Sequence, residues 1–301
     1  MQIRRILCPV DFSDASTTAV DRAAPLARLW NARLTVLHAY ASVARPPTLP
    51  VPDAGGALPP DADTIDRLAD QAASVVAADA GIRVEVSVVP GEPVGAILEL
   101  ARTLPADLIA MGTHGAGGFR HLILGSVTEK VLRQAPCPVL TVPPGVQASP
   151  AGVTHVICAV DLTDGTNEPV QAAATLAQAA GATLTLLHVI EWPWHEPPEA
   201  TGAGVPPEQA RALHEYREYL EDGASDRLGD LATTLPAGLD VRPQVRFGKP
   251  YVELLEEART AGADLLVLGV RGRNALDIAM FGSTTNHIVR HATCPVLTVP
   301  A

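Results

Sequence analysis

The chain has 301 residues, of which 47% are hydrophobic and only 4% aromatic, and its formal net charge is -11. This length predicts two domains, each large enough to bury its own core. The acidity argues against nucleic acid and anionic membranes as partners. A phosphate ligand stays compatible with it, because backbone N–H groups at the start of a helix can hold phosphate.

Strand and helix patterns alternate along the first half of the chain. We predict strands at residues 3–10, 33–39, 82–89, 107–111 and 139–142. We predict helices at residues 13–30, with Ser13 or Asp14 as its cap, at 61–80, from Pro93 onward and at 126–134. Apolar runs such as Leu-Ile-Ala-Met do not alternate with polar residues, which is typical of strands buried on both faces. The pattern predicts an α/β fold with doubly wound, five-stranded parallel sheets flanked by helices.

An internal repeat divides the chain. Residues 106–143 and 263–300 align without a gap at an offset of 157 and match at 17 of 38 positions. Upstream, the dipeptides at 10–11 and 37–38 recur at an offset of 150. The sequence therefore predicts two copies of one domain, at 1–144 and 153–301, joined by a linker at 145–152 that is rich in turn-forming residues.

The cysteines and the N-terminus favour a cytoplasmic protein. Cys8, Cys137, Cys158 and Cys294 form no Cys-x-x-Cys pair, and each lies in an apolar run. We interpret them as small buried thiols. The apolar run at the N-terminus is interrupted by Pro9 and Asp11, so it does not resemble a signal peptide. The sequence contains no run of 18 apolar residues, so it predicts no membrane span.

Glycines cluster after the fourth strand of each copy with identical spacing. Gly112-x2-Gly115-x9-Gly125-Ser126 recurs as Gly269-x2-Gly272-x9-Gly282-Ser283. Glycines at 112 and 115 would let backbone approach a ligand. Gly125-Ser126 opens a helix, whose free N–H groups and positive dipole end suit an anion. The first strand-to-helix turn has no glycine, and no Gly-x4-Gly-Lys-Ser/Thr sequence occurs. These absences argue against a dinucleotide-binding Rossmann unit and a P-loop NTPase.

Purely structural explanations remain for these residues. Residues 126–129 read Ser-Val-Thr-Glu, a capping box in which Ser126 would only cap its helix. Gly125 could simply allow a tight turn. Asp11 and Asp161 end the first strand of each copy. A carboxylate there could accept a hydrogen bond from ribose or adenine, or it could cap a helix. We favour the ligand role because neighbouring residues already supply caps.

Histidines give weaker signals. His287 and His291 have the i, i+4 spacing of a metal pair, but no third ligand is visible and a solvated helix face explains them better. His38 and His188 end the second strand of each copy, where packing explains them equally well. His114 lies inside the glycine-containing loop, where it could contact phosphate, and Arg271 occupies the same place in the second copy.

The whole chain, taken as two copies, resembles the universal stress protein family. The resemblance rests on Cys-Pro-Val-Asp-Phe-Ser-Asp at 8–14, on Met-Gly-Thr-His-Gly at 111–115, on Leu-Gly-Ser-Val-Thr-Glu-Lys-Val-Leu at 124–132, and on Cys-Pro-Val-Leu-Thr-Val, which closes both copies. Gly-x2-Gly-x9-Gly-Ser/Thr is the motif of the family's ATP-binding members. The resemblance implies a sheet order of 3-2-1-4-5 and dimerisation. It also implies pairing of the two domains within one chain, with a homodimer as a further expectation.

The resemblance also implies a set of adenine nucleotide contacts in each copy. Mg²⁺ would be held mainly through the phosphates and water. In the first copy the predicted residues are Pro9, Val10, Asp11, Ala39, Met111, Gly112, His114, Gly115, Gly125, Ser126 and Val127. In the second copy they are Val160, Asp161, Val189, Leu268, Gly269, Arg271, Gly272, Gly282, Ser283 and Thr284. Ala159 departs from the family pattern at the place of Pro9.

The resemblance thus implies an ATP-binding regulator of the stress response, with ATP as a ligand and not as a rapidly consumed substrate. We find no clear catalytic residue, so any ATP hydrolysis is expected to be weak. A slow ATPase is one alternative. An interaction module that binds no nucleotide is the other.

Overall fold

A computed structural model gives the structure of the protein. It describes residues 2–40, 60–78, 81–113, 124–146, 152–162, 168–191, 207–270 and 282–300. The chain forms two compact units that divide between residues 146 and 152.

The first unit alternates five strands with four helices in its described ranges. In chain order they are β1 Arg5–Pro9, α1 Asp14–Leu29, β2 Arg33–Tyr40, α2 Ala62–Ala78, β3 Arg83–Pro90, α3 Pro93–Thr103, β4 Leu108–Gly112, α4 Ser126–Gln134 and β5 Val139–Val142. The strand order is β3-β2-β1-β4-β5, and each neighbouring pair is parallel.

The described ranges of the second unit repeat this arrangement. Its elements are β6 His155–Ala159, α5 Glu168–Ala180, β7 Thr183–Glu191, α6 Pro207–Thr233, β8 Val241–Gly248, α7 Pro250–Thr260, β9 Leu265–Val270, α8 Ser283–His291 and β10 Val296–Pro300. The strand order is β8-β7-β6-β9-β10. Strand β6 pairs in parallel with β7 and β9, and β7 pairs in parallel with β8.

The central strands carry the apolar runs found in the sequence. All five residues of β4 are buried, and the first four residues of β9 are buried as well. Helices that cover both faces of a parallel sheet bury its strands in this way. The predicted α/β fold class is confirmed.

Helix starts follow the local sequence. Ser13 is the N-cap of α1, and its side chain accepts a hydrogen bond from the N–H of Ser16 at 3.2 Å. Pro93 and Pro250 occupy the first turns of α3 and α7, where proline loses no helical hydrogen bond. The glycines just before these helices, Gly91 and Gly248, have φ values of 135° and 146°, a conformation that other residues rarely adopt.

One aspartate in each unit fixes the amino ends of the central strands. Asp107 accepts hydrogen bonds from the backbone N–H groups of residues 4 and 5 at 2.8 and 3.0 Å. Asp264, its counterpart, accepts from residues 154 and 155 at 2.7 and 3.1 Å. These contacts lie at the sheet edge opposite the carboxyl ends of the strands, so the two aspartates have a structural role.

We expect the four thiols to resist alkylation in the folded protein. All four are buried, and burial raises their pKa values from 9.0, to about 12 for Cys137 and Cys158 and to about 11 for Cys294; the pKa of Cys8 is raised further. Because the thiolate is the reactive form, iodoacetamide at pH 8 should label native protein at least about a hundredfold more slowly than unfolded protein. Mass spectrometry with and without urea measures this. Rapid labelling of any native cysteine would contradict it.

Within the described ranges, no helix combines the length and apolar character needed to cross a bilayer.

Candidate functional site

Both backbone groups of Val10, the first residue after β1, form hydrogen bonds with the end of β2. The N–H of Val10 donates to the carbonyl of Leu37 at 2.8 Å, and the carbonyl of Val10 accepts from Nδ1 of His38 at 2.8 Å. A carbonyl can only accept, so Nδ1 carries the proton. His38 therefore fixes the loop that begins at Asp11, a role that its position in the sequence left open.

The second unit repeats this contact. The N–H of Val160 donates to the carbonyl of Leu187 at 2.9 Å, and its carbonyl accepts from Nδ1 of His188 at 2.8 Å. The loop that begins at Asp161 is therefore fixed in the same way.

Asp11 takes part in the structure of its own loop. Its Oδ1 accepts hydrogen bonds from the N–H of Ser13 at 3.1 Å and from the hydroxyl of Ser13 at 2.5 Å. Ser13 in turn caps α1, so Asp11 orients the capping residue and does not cap the helix itself. The carboxylate is exposed, and its ligand role stays a prediction.

The starts of α4 and α8 differ from the capping box read in the sequence. Gly125 is the N-cap residue of α4 and Gly282 that of α8, and neither makes a side-chain cap. Ser126 is the first residue of its helix, so the capping-box interpretation was wrong. The N–H of Gly125 donates to the carbonyl of Thr113 at 2.8 Å. First-turn amides beyond Gly125 are therefore the candidates for holding an anion.

Gly112 and Gly269 each lie against a helix of their own unit. A Cβ built on Gly112 would lie 2.8 Å from the backbone carbon and oxygen of Ala15, so the close approach of α1 requires a glycine here. A ligand contact with the Gly112 backbone stays a prediction. At Gly269 the Cβ would lie 2.9 Å from Cγ of Pro169. Both glycines are needed for close packing of helix on strand.

A hydroxyl joins the two parts of the glycine motif. Oγ1 of Thr128, buried in α4, donates to the carbonyl of Gly112 at 2.9 Å.

The described first-unit residues of the predicted site all lie at the carboxyl ends of β1, β2 and β4 or at the start of α4. They therefore share one edge of the sheet: Pro9, Val10, Asp11, Ala39, Met111, Gly112, Gly125, Ser126 and Val127.

A cavity of about 920 Å³ opens at the same edge of the second unit. It is lined by the ends of β6, β7 and β9, by α5, α6 and α7, and by the start of α8. Seven predicted site residues line it: Val160, Asp161, Val189, Leu268, Gly269, Gly282 and Thr284. Ser283, although described, is not among the lining residues. Four further predicted residues, His114, Gly115, Arg271 and Gly272, lie outside the described residues.

The cavity has two chemically different ends. The start of α8 offers helix N-terminal amides and the hydroxyl of Thr284. Toward β7 and α6, the lining includes the charged residues Glu191, Arg227 and Asp230. The lining therefore combines a helix start with a group of charged side chains from β7 and α6. An elongated ligand with one anionic end fits this polarity.

Residues of α6 in the cavity wall were missed by the sequence analysis. Arg227 and Asp230 belong to Asp-Arg-Leu-Gly-Asp at 226–230, which repeats Asp-Arg-Leu-Ala-Asp at 66–70 in α2. The repeat has an offset of 160, which differs from the offsets of 150 and 157 of the flanking segments. A search that allowed gaps between strands β2 and β3 could have found it.

The histidine pair on α8 makes aromatic ring contacts. The ring of His287 stacks on Tyr251, with centroids 4.4 Å apart, and lies 6.1 Å from the ring of His291. Among the described residues, no group of three or more His, Cys, Asp or Glu side chains could hold a metal ion.

The sequence model of the universal stress protein family matches residues 2–143 and again residues 152–300. The chain belongs to the universal stress protein family. The chain is similar to a universal stress protein of Mycobacterium tuberculosis, with 26% identity over 97% of this chain and 95% of that protein's length. A universal stress protein of Thermus aquaticus is 39% identical over 143 residues, 46% of this chain and 98% of its own.

A solved structure supports the fold of this tandem universal stress protein. A universal stress protein from Archaeoglobus fulgidus aligns over 100% of this chain and 99% of its own, with a TM-score of 0.64 and 21% identity. At this level of identity the likeness concerns the fold alone.

Proposed function

We propose that the second domain of this universal stress protein binds an adenine nucleotide, with ATP as the foremost candidate. The observation that carries the proposal is the cavity of about 920 Å³, lined by the start of α8 and by the charged residues Glu191, Arg227 and Asp230. Its volume lies within the range of about 300–1,000 Å³ of small-molecule sites. ATP has matching ends, an anionic triphosphate and a nucleoside rich in hydrogen-bond donors.

The triphosphate would face the start of α8. Gly282 makes no side-chain cap there, so backbone amides of the first turn would be available to bind phosphate. The helix dipole contributes only about 0.3–2 kcal/mol, whereas micromolar binding requires about 8 kcal/mol. Several amide hydrogen bonds and the nucleoside contacts must therefore supply most of the affinity.

The nucleoside would lie toward β7 and α6. Leu187, Val189 and Leu231 provide apolar contacts for a base. The carboxylates of Asp161 and Asp230 can accept hydrogen bonds from ribose hydroxyls or from an exocyclic amine. Mg²⁺ would arrive with the phosphates and be held by them and by water, in keeping with its preference for phosphate and water oxygens.

The first domain is proposed to bind nucleotide at the corresponding edge. The contacts that Val10 makes with β2 and the glycine start of α4 both have counterparts in the second domain. These shared features support a second site formed by the same elements.

Nucleotide is proposed to act as a regulatory ligand in the stress response of a cytoplasmic protein. A ligand that favours one conformation or assembly shifts its population without being consumed. Pairing of the two domains within the chain and formation of a homodimer stay predictions from the family. Phosphate release at several per second would instead favour an ATPase.

The proposal is tested by identifying nucleotide released from purified, denatured protein by mass spectrometry and by calorimetric titration with ATP and Mg²⁺. Adenine nucleotide in the released fraction, or binding in the micromolar range, supports it. A blank at millimolar ATP together with no released nucleotide would favour an interaction module without nucleotide.

The variant Gly282→Val is expected to weaken ATP binding to the second domain by at least about tenfold. A Cβ at Gly282 has its nearest neighbour, Oγ1 of Thr285, at 3.8 Å, so the fold has room for the side chain. The added methyl groups would stand beside the amides that hold phosphate. Gly223→Ala, in α6 and away from the cavity lining, is the control and should leave the affinity unchanged. Equal affinities for Gly282→Val and wild type would exclude α8 as the phosphate site.

A further inference from the structure

A repeated pentapeptide places an arginine at the same point of both domains. Asp-Arg-Leu-x-Asp occurs at 66–70 in α2 and at 226–230 in α6. The leucines, Leu68 and Leu228, are both 0% exposed, so each anchors its helix on its own sheet. The preceding residues, Arg67 and Arg227, are exposed, and each contacts the loop that follows the first strand of its domain.

In the first domain the arginine contacts an aromatic ring. The guanidinium carbon of Arg67 lies 4.0 Å from the centroid of the Phe12 ring, and the ring of Phe12 lies 4.6 Å from that of His38. Phe12 has a φ of 63°, which is uncommon for a large side chain. The cation–π contact and the histidine ring hold Phe12 from two sides in this conformation.

In the second domain the arginine makes a hydrogen bond to backbone. Nη2 of Arg227 donates to the carbonyl of Leu162, the residue that corresponds to Phe12. The side chain of Arg227 also lines the cavity. Two different interactions therefore hold the same position of the loop, the residue immediately after Asp11 or Asp161.

We propose that Arg67 and Arg227 are positioning residues for nucleotide binding. Each would hold the loop so that Asp11 or Asp161 points toward the nucleoside. The hydrogen bond from His38 of β2 or His188 of β7 would hold the same loop as well. The inference rests on the proposed function, since it assigns a role at the same site.

The topology separates this role from a direct phosphate contact. Helix α6 packs against β7 and β8, whereas α8, whose start is the proposed phosphate site, packs against α7. An arginine that positions the loop should affect adenosine and ATP equally. An arginine that contacts phosphate should affect ATP and leave adenosine unchanged, and its effect should fall with salt.

The experiment compares wild type, Arg227→Ala and Arg227→Lys by calorimetric titration with ATP and with adenosine. We expect Arg227→Ala to weaken second-site binding of both ligands by about tenfold. Arg227→Lys keeps a donor for the Leu162 carbonyl and should recover part of the affinity. Arg211→Ala is the control, because Arg211 lies on the same helix and pairs with exposed Glu215.

Amide hydrogen exchange gives a readout that needs no ligand. Residues 160–162 should exchange faster in Arg227→Ala than in wild type, while the thermal unfolding midpoint stays close to that of the control. Loss of ATP affinity without loss of adenosine affinity would overturn the proposal, as would unchanged affinity for both. If wild type binds neither ligand, the proposed function itself fails, and this outcome is distinct from the other two.

Discussion

Replacing Arg246 by valine is expected to lower the free energy of unfolding by about 3 kcal/mol. Arg246 of β8 pairs with two carboxylates of α7, Glu253 at 3.3 Å and Glu257. The side chain of Glu257 is 10% exposed and that of Arg246 is 28% exposed. Removing the cation leaves the Glu257 carboxylate mostly out of water without its charged partner. The partial exposure of Arg246 places the expected cost at the lower end of the range for buried pairs.

In the first domain the two corresponding positions are occupied by apolar residues. Val89 and Leu100 occupy the places of Arg246 and Glu257 at the offset of 157. The double variant Arg246→Val/Glu257→Leu copies this apolar pair into the second domain. We expect it to recover about 2 kcal/mol of the loss, because contacting residues that share an ion pair couple by amounts of this order.

Urea unfolding followed by circular dichroism measures the three free energies of unfolding. Arg259→Ala is the matched control, since Arg259 lies on α7 and pairs with Glu256 at the surface. Exposed pairs contribute little, so this variant should unfold like wild type. If Arg246→Val is no more destabilised than the control, or if the double variant is the less stable of the two, the ion pair is not buried in solution.

The fold could be predicted because its signals are local. Non-alternating apolar runs at 107–111 and 139–142 identified buried strands within one residue of β4 and β5. Ser13 and Pro93 marked helix starts that the structure confirms. Each of these signals depends on burial or backbone geometry within a few residues, which the sequence shows directly.

The site was predicted less completely because its contacts join distant segments. The hydrogen bond of His38 reaches a carbonyl 28 residues away, and Gly112 meets α1 nearly a hundred residues earlier in the chain. Contacts between residues this far apart along the chain leave no local pattern in the sequence. The arginines of α2 and α6 also repeat, but at an offset of 160. Because the flanking segments repeat at offsets of 150 and 157, an alignment at either of these offsets does not pair them.

The variant Gly112→Ala is expected to lower the free energy of unfolding by about 3 kcal/mol, at the upper end of the usual cost of overpacking. The new Cβ would lie 2.8 Å from the backbone carbon and oxygen of Ala15 and 2.9 Å from its Cβ. Backbone atoms of α1 cannot move without shifting the helix away from β4. Gly269→Ala should cost only about 1 kcal/mol, because the close atom there is Cγ of a single side chain, Pro169.

Second-site replacements separate a clash with backbone from a clash with a side chain. Pro169→Ala removes Cγ and should restore most of the stability lost in Gly269→Ala. Ala15→Gly should restore little in Gly112→Ala, because the backbone carbon and oxygen of residue 15 remain in place. Thermal unfolding of the two single and two double variants measures the comparison. If Gly112→Ala unfolds at the same temperature as wild type, α1 does not approach β4 this closely. In that event the glycine at 112 would again be explained by the approach of a ligand.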